Sequence, residues 1–129
     1  MLLIHNNIFF KKLFFIKTYL INNLKKYWFF LSFFFILLIG VNSLWPRLEL
    51  QQDFTLHDKF FHFLAYLSLS SPVSIARPKN HKFILLFFIF YGGLIEVIQP
   101  FVNRSMDIFD FFANCMGVYF AYKFINKLS

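Results

Sequence analysis

Acidic residues and helix-breaking residues are both scarce in this 129-residue chain. It has six aspartates and glutamates against 13 lysines and arginines, together with four glycines, four prolines and one cysteine. So few glycines and prolines exclude a collagen-like or low-complexity disordered chain. The single Cys115 excludes an intramolecular disulfide and a cysteine-based metal site, and we interpret it as a small apolar residue in a helix interface.

Charge of either sign is rare, whereas apolar side chains are abundant. Only 15% of the residues are charged, 59% are hydrophobic and 23 are phenylalanine, compared with about 25% charged residues in ordinary soluble domains. Because a soluble domain of this size cannot bury so much apolar surface, we expect a lipid bilayer as its partner. The net charge of +7 accompanies no nucleic-acid-binding motif, so nucleic acid is not expected as a partner.

Long apolar runs predict four transmembrane helices. About 20 residues at ~1.5 Å each match the ~30 Å hydrocarbon core of a bilayer. The run between Lys26 and Arg47 fits best, with Tyr27, Trp28 and Trp45 at its ends, where aromatic rings favour the interface. The predicted spans are residues 27–46, 57–76, 83–99 and 106–125.

Residues 1–26 have a different pattern, since polar residues recur among Phe, Leu and Ile at helical spacing. This predicts an amphipathic helix on the membrane surface, with its lysines towards anionic headgroups. A signal peptide is disfavoured because lysines interrupt the apolar run. The predicted fold is therefore an all-α membrane protein, a four-transmembrane-helix bundle of residues 27–129 with an N-terminal amphipathic interfacial helix of residues 1–26.

Local signals predict where two of these helices begin. Thr55 and Asp58 have the spacing of a capping box, which would open the second span. Ser105 is a good N-cap residue for the fourth span, with Asp107 in its first turn. Pro72 is expected to kink the second span.

The basic residues predict the orientation of the spans. Ten of the 13 lysines and arginines fall before the first span, in the 77–82 turn, or near residues 123–127. Four spans place these three regions on one side, which the positive-inside rule assigns to the cytoplasm. We therefore expect both termini in the cytoplasm and the polar ends of the spans at the outer face.

Polar side chains follow one face of each of the last three spans. Counted from the outer ends at ~1.5 Å per residue, His62, Glu96 and Asp110 lie at one depth, roughly 8–10 Å below the surface. An ionisable group inside a membrane is costly unless it is paired or hydrated, so we predict an outward-facing pocket. The stripes are Asp58, His62 and Tyr66 in the second span, Gly92, Glu96 and Gln99 in the third, and Asp107, Asp110, Asn114 and Gly117 in the fourth.

A purely structural role is the alternative for the remaining polar residues. Asp58 and Asp107 suit the first turn of a helix, and Asn114 and Gln99 suit interhelical hydrogen bonds. Arg104 would be the counter-ion of this group. Lys59 is predicted to extend towards the interface, and Tyr66 to pack.

For the three ionisable groups at one depth, we favour a functional role over a purely structural one. His62, Glu96 and Asp110 are the candidate catalytic residues, as general base or orienting groups. The same three suit a divalent metal, but no H-x-x-x-H pair accompanies them. No cofactor is therefore predicted, with a metal as the weaker alternative.

Three segments resemble the VanZ-like family of small membrane proteins: DKFFHFLAY (58–66), YGGLIEVIQ (91–99) and NRSMDIFDFFANCMG (103–117). Asn103 stands where that family usually has glycine, a position at which Asn also tolerates a left-handed turn. The resemblance implies a helical membrane bundle, and its founding member is linked to low-level resistance to teicoplanin. The matching positions are Asp58, Lys59, His62, Tyr66, Gly92, Glu96, Gln99, Arg104, Asp110, Asn114 and Gly117.

The favoured function is a non-enzymatic, multi-pass protein of the bacterial cytoplasmic membrane. Its outer pocket would bind an envelope lipid headgroup or a cell-wall or glycopeptide-type ligand, with a role in envelope or antibiotic tolerance. A membrane-embedded hydrolase or transferase and a small scaffold subunit are the alternatives. The predicted ligand-binding residues are Asp58, Lys59, His62, Tyr66, Glu96, Gln99, Arg104, Asp107, Asp110 and Asn114.

Overall fold

The protein consists of four α-helices in a computed structural model that describes residues 2–46 and 56–128. No strand occurs in these ranges, which confirms the all-α prediction. Two short 3₁₀ helices, Gln99–Val102 and Ile125–Leu128, follow the third and fourth α-helices. The predicted capping residue Thr55 lies outside the described ranges. The α-helices are α1 Leu2–Leu44, α2 Leu56–Ala76, α3 His81–Ile98 and α4 Ile108–Lys123.

Helix α1 differs from the predicted arrangement because it is a single helix of 43 residues. The sequence predicted a surface helix over residues 1–26 and a separate span over 27–46. No glycine or proline occurs before Gly40, so nothing in the chain interrupts the backbone hydrogen bonds. At ~1.5 Å per residue α1 is about 65 Å long, roughly twice the hydrocarbon thickness of a bilayer.

Two helical segments within the described ranges, Phe10–Leu44 and His81–Val102, are long and apolar enough to cross a membrane. The prediction of four spans is not supported by helix length and composition. Helix α2 carries Asp58, Lys59 and His62 in its first two turns, and α4 has 16 residues, about 24 Å at ~1.5 Å per residue. Both helices are therefore more polar or shorter than an isolated span requires.

The helices run alternately up and down, and α2 lies at the centre. It packs most extensively against α4 and next against α1, while α3 completes the bundle against α4. Consequently α1 and α3 end where α2 and α4 begin. The apolar core is formed by Ile39, Tyr66, Leu69, Val73, Leu85, Phe88, Ile95 and Val118.

Gly117 allows the close approach of α2 and α4. A Cβ added there would lie 2.5 Å from the Phe63 carbonyl oxygen and 2.8 Å from the Leu67 nitrogen. Both atoms belong to the backbone of α2, so a side chain could be accommodated only by moving a helix. A Cβ at Gly93 would meet only the ring of Phe111, at 3.3 Å.

We predict that Gly117→Ala is more destabilising than Gly93→Ala by about 1–3 kcal/mol, the usual cost of overpacking a core. Ring movement at Phe111 relieves the second change, whereas the backbone contact at Gly117 has no such relief. Thermal unfolding of the two variants in the same detergent measures the difference. Equal melting temperatures would contradict the close approach of α2 and α4.

Candidate functional site

Polar side chains from α2, α3 and α4 meet at the end of the bundle where α2 and α4 begin. Four of them, from α3 and α4 and the turn between them, are at most 5% exposed, although the helices around them are apolar. A buried polar group without a hydrogen-bond partner is costly, so we expect these side chains to contact one another or other polar groups. These four residues are Glu96, Gln99, Asp110 and Asn114.

The turn between α3 and α4 positions the acidic residues. Asn103 has a left-handed backbone conformation (φ 58°), as expected from its place in the predicted turn. Asp107, not the predicted Ser105, is the N-cap of α4, and its side chain accepts a hydrogen bond from the Phe109 nitrogen at 2.8 Å. The Asp107 nitrogen in turn donates to Glu96 Oε2 at 3.4 Å. With Asp107 as its N-cap, α4 begins at Ile108, two residues later than predicted.

Lys59 points into the site and bridges two carboxylates. Its Nζ lies 2.6 Å from Asp107 Oδ2 and 3.0 Å from Asp110 Oδ1. The prediction that Lys59 extends to the interface was therefore wrong, because two acids on the adjacent helix attract its ammonium group.

His62 is the centre of the cluster. Its Nδ1 lies 3.1 Å from Asn114 Oδ1 and 3.9 Å from Glu96 Oε1, and its Nε2 lies 3.7 Å from Asp110 Oδ2. The side chain is 10% exposed. The structure thus brings together His62, Glu96 and Asp110, which the sequence placed at one depth.

Three buried polar atoms near His62 have no hydrogen-bond partner within the described part of the chain. They are Tyr66 Oη, Glu96 Oε1 and Asn114 Nδ2. Gly92 makes room for two of them, since a Cβ there would lie 3.1 Å from Tyr66 Oη and 3.2 Å from Asn114 Nδ2. Groups of this kind normally bind something, either water, an ion or a ligand.

Arg104 and Gln99 contact the end of α1. Arg104 Nη1 donates to the Asn42 carbonyl oxygen at 3.2 Å, and Gln99 Nε2 donates to the Ser43 carbonyl oxygen at 3.5 Å. Both groups therefore satisfy carbonyls that the last turn of a helix leaves without a partner. The cation that bridges Asp107 and Asp110 is Lys59 of α2.

A cleft of about 470 Å³ opens between α1 and α2 beside the cluster. Its wall contains both apolar and polar side chains. Asp58 and His62 connect it to the buried groups, since the ligand atoms of Asp58, His62 and Asp110 all lie within 4.8 Å of one another. Its apolar lining includes Phe35, Leu38, Ile39, Phe61, Leu64 and Ala65, and its polar lining includes Asn42, Ser43, Asp58, His62, Ser68 and Arg104.

Sequence reasoning missed the contribution of α1 and the direction of Lys59. Asn42 and Ser43 interrupt the apolar first span near its end, and that was the only available signal for α1. Lys59, His62 and Tyr66 are spaced by three and four residues, so they share a helix face. That spacing was sufficient to place Lys59 in the site.

Comparison of the chain with protein-family models, curated proteins and solved structures gave no match. The resemblance to VanZ-like proteins therefore stays a prediction, which depends on the three motifs alone.

We predict that Lys59→Met destabilises the protein, because it leaves Asp107 and Asp110 facing each other without a cation. Lys82→Met, at the opposite end of the bundle, is the matched control. A double-mutant cycle with Asp107→Asn should give a coupling energy within the range of about 0.5–3 kcal/mol seen for residues in contact. Additive effects of the two changes would contradict the pairing.

Proposed function

We propose that this is a multi-pass membrane protein whose cleft holds the headgroup and part of the acyl chain of an envelope lipid. All four helices would cross the bilayer, with both termini in the cytoplasm and the polar cluster towards the outside. Apolar surface supports a lipid environment, since aromatic and aliphatic side chains are exposed along α1 and α3. The short and polar helices α2 and α4 would enter the bilayer as part of the bundle, with their charged ends paired at one level.

The mixed lining of the cleft is the observation that carries this proposal. An amphipathic molecule needs an apolar surface for its chain and polar groups for its head, and the lining of the cleft includes both. Arg104 suits the phosphate of a headgroup, because guanidinium groups bind phosphate oxygens in pairs. Asp58 and His62 lie at the same polar end and suit hydroxyl or amine groups.

The resemblance to VanZ-like proteins extends the proposal to the cell envelope. The implied ligand is a lipid headgroup or a lipid-linked cell-wall precursor, and the implied role is tolerance of glycopeptide antibiotics. Teicoplanin susceptibility of bacteria that express the protein or its His62→Ala variant tests that role separately from lipid binding.

We predict that protein purified in mild detergent retains a lipid, and that Arg104→Gln and Ala65→Phe reduce its amount. The first change removes the phosphate contact, and the second fills the apolar wall. Native mass spectrometry of the complex gives the mass and stoichiometry of the lipid.

The control is Arg77→Gln, which makes the same chemical change at the other end of the bundle, beyond the last residue of α2. This variant should retain lipid like the unchanged protein. Equal retention by all variants would show that the lipid binds to the general apolar surface, and the proposal would then fail.

A hydrolase or transferase is the second candidate, and the surroundings of His62 favour it. The imidazole lies between Asp110 on one side and Asn114 and Glu96 on the other, an arrangement that suits a general base and its orienting group. Recovery of the bound lipid unaltered favours the binder, whereas a cleaved or modified lipid, absent from Glu96→Gln, favours the enzyme. A scaffold would tolerate His62→Ala and Glu96→Ala with no change in bound lipid or phenotype.

The proposed topology makes its own prediction. In a chain whose Cys115 is replaced by serine, a cysteine at Gln52 should react with an impermeant thiol reagent added to intact cells. A cysteine at Asn80 should react only after the cells are opened, because the 77–82 turn faces the cytoplasm. The opposite labelling pattern would show that the protein has the reverse orientation in the membrane.

A further inference from the structure

We propose that Asp58, His62 and Asp110 bind one divalent transition-metal ion at the polar end of the cleft. The ligand atoms of these residues already lie within 4.8 Å of one another. Atoms on opposite sides of a bound zinc ion are separated by at most about 4.4 Å, twice a bond length of ~2.2 Å. Small side-chain movements therefore suffice to close the site. The proposal does not depend on lipid binding, because it concerns only these side chains.

The proton of His62 determines what its Nε2 can do. Two oxygen acceptors lie on the Nδ1 side of the ring, Asn114 Oδ1 at 3.1 Å and Glu96 Oε1 at 3.9 Å. They favour the tautomer whose proton is on Nδ1 and whose Nε2 carries a free electron pair. Metal-bound histidines usually have this arrangement, in which the second ring nitrogen donates to an amide or carboxylate oxygen.

In this tautomer the His62 Nε2 atom faces Asp110 Oδ2, which also carries free electron pairs. The two atoms are 3.7 Å apart, beyond the range of a good hydrogen bond. Two such acceptors repel each other unless a cation lies between them. A metal ion bound to both removes this repulsion, and Asp58 approaches the same point from the preceding turn of α2.

Asp110 is held in a suitable orientation for this role. Its Oδ1 accepts a hydrogen bond from Lys59 Nζ at 3.0 Å, which leaves Oδ2 directed at His62. Hydrogen bonds of this kind commonly orient a carboxylate that binds a metal. Lys59 is itself shared with Asp107 at 2.6 Å, so its positive charge is divided between two carboxylates.

The charges of the site also favour a divalent ion. Asp58, Asp107 and Asp110 bring three carboxylates together, and Lys59 contacts two of them. A divalent ion would add positive charge where Asp58 and Asp110 meet His62, in an environment where unpaired charge is costly. Glu96 Oε1 has no hydrogen-bond partner within the described ranges and belongs to a side chain that is 3% exposed. It lies 3.9 Å from Nδ1 of the same imidazole.

One histidine and two aspartates indicate zinc or manganese. Imidazole suits zinc, and carboxylates suit manganese, whereas calcium and magnesium prefer oxygen ligands alone. Three protein ligands leave at least one coordination position, as at catalytic zinc sites. That position faces the cleft, because Asp58 and His62 line its polar end.

The test is metal binding by the full-length, tag-free protein in detergent. After treatment with a chelator, the protein is titrated separately with zinc and with manganese, and bound metal is measured by calorimetry and elemental mass spectrometry. We expect one ion of zinc or manganese per chain. His62→Gln and Asp58→Asn should each weaken binding at least as strongly as the loss of an outer hydrogen-bond partner, which typically costs about 10–100-fold.

Two further variants separate a metal site from a general structural effect. Asn114→Ala keeps all three ligands but removes the acceptor for Nδ1, and it should weaken binding by about 10–100-fold. His81→Gln makes the same change as His62→Gln at the start of α3, far from the site, and should bind metal like the unchanged protein. Asp58 is only partly buried, so Asp58→Asn is expected to fold even where His62→Gln does not.

The competing arrangement is a doubly protonated His62 that donates from Nε2 to Asp110 with no metal. It predicts that neither zinc nor manganese binds above the level of a buffer control. That result, or unchanged affinity in both His62→Gln and Asp58→Asn, would overturn the proposal. The experiment measures bound metal and not bound lipid. A negative result would therefore contradict the metal site without contradicting the proposed lipid cleft.

Discussion

Burial of carboxylates in an apolar bundle is the constraint on which the rest of this structure depends. Glu96 and Asp110 are 2% and 5% exposed, and an unpaired charge at such depth costs several kcal/mol. Lys59 meets this cost for Asp110, which it bridges to Asp107, whereas Glu96 accepts a hydrogen bond from the Asp107 nitrogen. The same constraint fixes the start of α4, because Asp107 caps the helix through its side chain while its nitrogen contacts Glu96.

Close packing of α2 against α4 follows from this pairing. Lys59 and His62 reach Asp110 and Asn114 only if the two helices lie near each other, and Gly117 permits that approach two turns further along. Helix α3 then supplies Glu96 from the third side, with Gly92 leaving space for Tyr66 and Asn114. The polar cluster and the small residues are therefore parts of one packing arrangement.

Helical spacing predicted which residues would meet, because a side chain's face and depth follow directly from its number along a helix. His62, Glu96 and Asp110 come together for that reason. The same spacing places Lys59 on the helix face of His62 and Tyr66, whereas the direction of Arg104 did not follow from spacing, since a long side chain in a turn points towards whichever partner a neighbouring helix presents. The continuity of α1 depends on the absence of breakers across residue 26, which a division by hydropathy overlooks. Asn42 and Ser43 are the only sequence signal that α1 contributes to the cleft, because its apolar residues resemble any lipid-facing surface.

The cleft and the cluster adjoin at Asp58 and His62, and this determines which headgroups suit the site. Asp58 alone would repel a phosphate and leave Arg104 as its principal contact. A divalent ion held by Asp58, His62 and Asp110 would neutralise these two aspartates and offer a further contact for phosphate oxygens. An anionic headgroup is therefore favoured with the ion, and a zwitterionic or amine-bearing headgroup without it. If the protein holds both a lipid and a metal ion, the metal content would thus decide which class of lipid the proposed cleft selects.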